Sequence, residues 1–405
     1  MSGRRMSMVA AALVVTATLV AGATASSQAT NAGGGYKVVG VWGKIGTGNG
    51  QFASSHNGIA VDKAGSVYIA DTDNNRVQEL SKAGAFVRKW GASGSGNGQF
   101  AGAEDIAVAP DGTVWVADRA NSRLQAFSSG GVFKTSLVTP SEQAQGVAVD
   151  VDGNVFVSVE GGKLGGYRVF AKTATGWEPK GGLNGAGNYR ADDVEVSPDG
   201  SIYLLTSATQ SDDDRVRHYT ADGKPVASWK LTRGDGTRGI GVDLDCNVWA
   251  GDVAQGGVTK YSPSGKRLAT AASITDGYVA KDTAVGPTGD VLVIRQNAGV
   301  IRLAEDKSKP ATAAIPGKIV VTKGVAKVKY TLSGVACPAQ VAATTSLTGK
   351  GIAGKASVKL AAGKPTVISI PVKAARGSTS ATFKIVLKTN GRPTTETRNV
   401  KVSVR

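Results

Sequence analysis

Six times between residues 59 and 283 the sequence returns to one short theme. The anchors Ile59, Ile106, Val147, Val194, Ile240 and Thr283 stand 47, 41, 47, 46 and 43 residues apart. Each opens an apolar run, such as "IAVD" or "VEVSPD", which ends in a turn and leads into a second run, such as "SVYIAD" or "TVWVAD". The turn closes on Gly65, Gly112, Gly153, Gly200 and Gly289, with Cys246 in that slot of the fifth copy. Third and fourth alternating runs come next, "NRVQELS" and "AFVRKWG" in the first copy. Period-two alternation broken by turn residues reads as strands. Four strands per unit at a fixed period of this size predict an all-β fold, a six-bladed β-propeller over residues 36–304. The sixth copy lacks a clear fourth strand, and "YKVVGVWG" (36–43) resembles the outer strand "AFVRKWG". Residues 36–42 are therefore expected to complete blade six, which hides the sheet edges an open ring would leave.

Two glycine loops, "IGTGNGQF" (45–52) and "SGSGNGQF" (93–100), invite a phosphate-binding reading. A phosphate loop needs a helix whose first N–H groups face the anion. The residues after Phe52 instead read as a strand, a turn and a strand. The loops are expected to join the outer strand of one blade to the inner strand of the next, with glycine where the chain reverses at positive φ. Phe52 and Phe100 are expected to plug the gaps between blades.

The first two copies carry a family resemblance. "GIAVDKAGSVYIADTDNNRVQEL" and "DIAVAPDGTVWVADRANSRLQAF" resemble NHL repeats, with an Asp…Asn-x-Arg signature at Asp71, Asn74 and Arg76, and at Asp118, Asn121 and Arg123. Blade four keeps Arg215 and blade five Asp252, while blades three and six have lost the pattern. The resemblance implies a propeller that binds protein, RNA or glycan on one face. Similar propellers also include amidating lyases and calcium-dependent lactonases. A zinc RING, as in the ubiquitin-ligase relatives, has no support in a chain with two cysteines.

Outside the repeat the chain changes character. Arg4 and Arg5 precede an apolar stretch to about Ala23, and Ala23-Thr24-Ala25 is a small-x-small site, so residues 1–25 read as a secretory signal peptide cleaved after Ala25. Residues 26–35 read as a disordered leader. Residues 305–317 form a Pro/Ala/Lys linker, and 318–405 carry about seven short alternating runs expected to fold as a small immunoglobulin-like β-sandwich. Charge divides the same way. Residues 36–306 hold 27 Lys/Arg against 30 Asp/Glu, whereas 307–405 hold 18 against one, a net of +17. The formal net charge of +16 therefore belongs to the tail. Such a segment suits an anionic cell-envelope polymer or lipid surface. With Tyr330 and Phe383 its only aromatics it lacks a base-stacking platform, so no specific nucleic acid is expected.

Candidate chemistry is sparse, and no catalytic residue is assigned. There is no Gly-x-Ser-x-Gly elbow. The two histidines, His56 and His218, occupy non-equivalent repeat positions, which suits packing better than a zinc site. Cys246 and Cys337 are an even pair in an exported chain, consistent with a disulfide or with two separate thiols. The residue before each anchor alternates strictly: Gly58, Asp105, Gly146, Asp193, Gly239, Asp282. Inner strands line a propeller's axis, so Asp105, Asp193 and Asp282 would meet at one end of the channel. Two readings fit: a Ca²⁺ site, the one cofactor the sequence suggests, or aspartates that bond backbone where a strand begins. Arg238 and Lys281 in the adjoining ring oppose a cation. "SDDDR" (211–215) reads as a solvated loop. The functional expectation is a secreted, non-catalytic scaffold whose propeller face binds a protein or glycan. Its alternative is a secreted propeller hydrolase, lactonase or lyase with a metal in the axial channel.

Overall fold

The computed structural model describes residues 35–305 apart from 140–141, 161–165, 185–188, 209–212, 232–236, 253–256 and 272–278, together with backbone strands between Lys318 and Val404. Six four-stranded antiparallel sheets form the ring. Blade one runs Gly58–Val61, Val67–Asp71, Arg76–Leu80 and Phe86–Trp90, from the axis outward. The inner strands of blades two to six are Ala103–Val108, Gln143–Val149, Tyr189–Val196, Ile240–Val242 and Ala280–Val285. Each touches the next, and the sixth touches the first, which closes the circle.

Closure takes the expected route. Tyr36–Trp42 pairs antiparallel with Val300–Glu305 and so supplies the outer strand of blade six. The first hairpin of each blade turns where glycine was expected. Gly65, Gly112, Gly153, Gly200 and Gly289 all have φ between +82° and +91°, and Cys246 stands in the same slot at +58°. A side chain there is unfavourable by roughly 1–2 kcal/mol.

The core lies between blades rather than inside one. Phe52 packs with Ile59, Leu80 and Ile294 at the blade six/one interface. Phe100 packs with Tyr68 and Phe127 at the one/two interface. Both rings are wholly buried. Beyond Glu305 the backbone strands run from Lys318–Thr322 to Arg392–Val404. The expected sandwich packing of 318–405, the signal peptide, the leader and Cys337 lie outside the described residues.

Candidate functional site

The repeat signature has a structural role. Asp71 is fully buried and accepts hydrogen bonds from Ala53 N (2.7 Å), Asn74 Nδ2 (2.9 Å), Arg76 Nε (2.7 Å) and Gln78 Nε2 (3.0 Å). Arg76 then donates to the carbonyls of Thr47, Gly48 and Gln51, and Asn74 to that of Gly46. The signature therefore clamps the glycine loop that enters its own blade. Blade two repeats the set. Asp118 takes Ala101 N at 2.8 Å and Arg123 Nε at 2.8 Å, while Asn121 and Arg123 hold the Gly94 and Gly96 carbonyls. Gln78 and Gln125 complete the clamp by accepting from Gly50 N and Gly98 N. Sequence reading missed these two glutamines, although both sit two residues after the signature arginine.

At the axis, the structure brings Asp105, Asp193 and Asp282 together and shows what the alternation is for. Asp105 Oδ2 accepts from Val147 N (2.7 Å), Asp193 Oδ2 from Ile240 N (2.8 Å), and Asp282 Oδ2 from Ile59 N (2.9 Å). Each acceptor lies in an even blade and each donor in the next odd one. The other carboxylate oxygens of Asp193 and Asp282 accept from their own next residues, Val194 N and Thr283 N. Glycine on the odd blades makes room. A Cβ on Gly146 would stand 2.3 Å from Asp193 Oδ1, and one on Gly239 would stand 1.9 Å from Asp282 Oδ1. The three aspartates clasp the six inner strands in pairs.

Burial dominates the electrostatics. It pushes the Asp105 carboxyl up to about 7. Asp193 is held well above the usual carboxylate range by burial and then by Asp105 and Asp282, and Asp282 by burial and then Asp105. Glu195, two residues along the same strand face, is raised by burial and then by Asp105. It occupies a position where other blades carry alanine or glycine, and the sequence reading overlooked it. Around the mouth stand Asn57, Glu104, Gln145, Asp192 and Arg238, leaving a volume of about 10 Å³, close to the room for one water. Arg238 Nη1 lies 3.4 Å from Asp192.

This arrangement does not fit Ca²⁺, which takes six to eight oxygens. The carboxylates already spend their oxygens on backbone N–H groups. Among the described residues no group of three or more His, Cys, Asp or Glu side chains is placed to hold a metal ion.

The remaining candidates are packing residues. His56 is buried, stacks on Phe52 at 5.3 Å and bonds the Ala53 carbonyl through Nδ1. His218 stacks on Tyr203 at 4.4 Å and bonds the Pro263 carbonyl. Burial lowers both imidazoles. Cys246 is buried and not a free thiol, with Sγ 3.6 Å from Asp199 Oδ1. Asp213 pairs with Arg215 at 2.9 Å, whereas residues 211 and 212 of the acidic loop lie outside the described residues.

The clamped signature agrees with the comparison to known proteins. Residues 57–80 and 100–127 match the NHL repeat family. The first two blades are NHL repeats. No curated protein matches the chain. Among solved structures, virginiamycin B lyase from Staphylococcus aureus is 16% identical over 66% of this chain and 90% of its own, with a TM-score of 0.44. A gluconolactonase from Xanthomonas campestris is 12% identical over 66% and 88%, with a TM-score of 0.47. A luciferin-regenerating enzyme is 14% identical over 65% and 95%, also at 0.47. Identities this low leave those activities with those proteins.

Proposed function

We propose that this chain is an exported, non-catalytic recognition protein. In this reading the NHL-type propeller presents a face to a protein or glycan, and the basic segment 307–405, folded as a sandwich, tethers it to an anionic polymer or lipid surface of the cell envelope. The observation that carries the proposal is the charge division: net +17 in the tail against net −3 in residues 36–306. So dense a positive charge repels itself, and an anionic partner offsets that cost. The axial geometry supports the non-catalytic part, because the three carboxylates that converge there are engaged as blade clasps. The rival, a hydrolase, lactonase or lyase with an axial metal, would need those clasps released. A Cys246–Cys337 disulfide is part of the proposal and would anchor the tail to the turn of blade five.

The test is co-sedimentation of the full chain with phosphatidylglycerol vesicles and with phosphatidylcholine vesicles across a salt series. Retention on the anionic vesicles should fall steeply above roughly 0.15 M salt, where the Debye length is about 8 Å. Equal retention on both vesicles, or retention indifferent to salt, would remove the tether.

A further inference from the structure

The outer strands share a second register position, visible only once the sheets are paired. Opposite the second or equivalent residue of each third strand stand Trp42, Trp90, Leu137, Leu183, Trp229 and Ala271. Each of the three tryptophans lies on a glycine in the last turn of the following blade. Added Cβ atoms on Gly84, Gly131 and Gly265 would come within 2.4 to 2.8 Å of Trp42, Trp90 and Trp229. Tryptophan is thus the plug of the outer inter-blade gap.

Blades two, three and five lack it, and at the blade two/three interface Trp177 packs edge-on against Trp115 at 4.9 Å instead. Leu183 stands in the tryptophan register, beside Gly181 and Gly182 at positive φ, while Gly223 keeps its place in the turn of blade four. The Tyr167 ring moves into the aromatic row instead, 6.3 Å from Phe156 and 6.5 Å from Tyr219. Trp90 sits in the corresponding row, 6.2 Å from Tyr68 and 5.9 Å from Phe127. The space left outside Leu183 is a cleft of about 590 Å³ between blades three and four. Where the register holds Ala271, a smaller cavity of about 290 Å³ opens, with Lys260 on its wall paired to Asp243.

The larger cleft has a distinct chemistry. Its floor includes Phe156, Tyr167 and Leu183, and its rim carries Asp150, Asp152, Asp199 and Asp222. Asp222 is paired with Lys224 at 2.8 Å. Asp150 accepts from Asp152 N, Asn154 N and Asn154 Nδ2, and Asp199 Oδ1 from Ser197 Oγ and Ser201 N, so both hold their own turns. Neither they nor the exposed Asp152 has an ion pair among the described residues. With Lys180 the one ammonium among the described lining residues that is free of these pairs, an excess of two negative charges remains. The volume is within the range of small-molecule pockets, roughly 300–1,000 Å³. An apolar, aromatic floor under a rim of net negative charge, with the Asp152 carboxylate exposed, suits a cation with an apolar body.

We propose that the blade three/four cleft is a binding site for a small organic cation, an amine on an aromatic or aliphatic body. The site is separate from the axial mouth and from the basic tail, and its occupation needs neither. The experiment is a calorimetric titration of the full chain with phenethylammonium, its neutral counterpart phenethyl alcohol and its anionic counterpart 3-phenylpropionate. Saturable binding of the ammonium, with the alcohol at least tenfold weaker and no heat from the anion, is expected. Leu183→Trp restores the plug seen at three other interfaces, so it should abolish binding and leave the melting temperature at or above that of the parent. Asp152→Asn, at an exposed rim residue, should weaken binding by about tenfold or more, the lower end of what one hydrogen bond to a charged group contributes. No saturable ammonium binding, equal affinity for ammonium and alcohol, or binding unchanged in both variants would overturn the proposal. If Leu183→Trp does not fold, the Asp152→Asn titration decides alone.

Discussion

Replacing Asp71 by alanine should be among the most damaging single changes to the propeller. The carboxylate is fully buried and satisfies four donors at once: Ala53 N, Asn74 Nδ2, Arg76 Nε and Gln78 Nε2. Arg76 is only 7% exposed and Gln78 is wholly buried, so neither can turn to water when the acceptor is gone. Removing one partner of a buried ion pair costs about 3–5 kcal/mol, because the surviving charge stays desolvated. At about 2.1 cal/mol/K of unfolding entropy per residue, residues 36–305 unfold with about 0.57 kcal/mol/K. A loss of about 4 kcal/mol then lowers Tm by about 7 °C. Scanning calorimetry on the purified chain reads this directly. The control is Asp73→Ala, two residues away, where the carboxylate accepts only exposed bonds from Ser54 and Ser55; it should change stability by no more than about 0.5 kcal/mol. An Asp71→Ala protein that melts within about 2 °C of the parent would show that the signature does not clamp the glycine loop.

Gly146→Ala should destabilise by about 1–3 kcal/mol through overpacking, since its Cβ would meet Asp193 Oδ1 at 2.3 Å; an unchanged denaturation midpoint would contradict the clasp geometry. The axial carboxylates set a pH dependence. Their folded pKa values lie above the unfolded ones, so their contribution is fully present below about pH 4 and is lost as pH rises through the folded values, about 7 for Asp105. The difference in stability between Asp105→Asn and the parent should therefore change between about pH 4 and about pH 7, and a pH-independent difference in urea titrations would count against it. Starting the chain at Gln51 removes the outer strand of blade six and the Trp42 plug; loss of cooperative melting is expected, and a parent-like transition would refute this closure. Alkylation under denaturing, non-reducing conditions should leave both cysteines unmodified, whereas two added labels would exclude the proposed Cys246–Cys337 bridge.

The features legible in the sequence were those that repeat locally. The anchors, the turn glycines and the strand arriving early at residue 36 each announce themselves within a dozen residues, because strand alternation and positive φ are local demands. Cross-blade contacts are a different matter. The Gly/Asp alternation was visible, but its cause lies in Asp193 reaching Ile240 and crowding Gly146, residues 47 positions away on either side. Glu195 escaped notice because alignment by anchor draws the eye to the residue before it. The Trp42, Trp90 and Trp229 register, and the missing plug at Leu183, emerge only from strand pairing, since a glycine-rich detour displaces Leu183 in the sequence.

The central claim about the site is that Asp105, Asp193 and Asp282 clasp blades and do not hold a cation. Its most direct test is a calcium titration of the chelator-treated full chain by calorimetry, paired with melting curves in calcium and in chelator. The clasp predicts no saturable heat and superimposable melts. A stoichiometric calcium-binding isotherm, with a chelator-induced fall in Tm that Asp193→Asn abolishes, would contradict it and favour a metal-dependent enzyme.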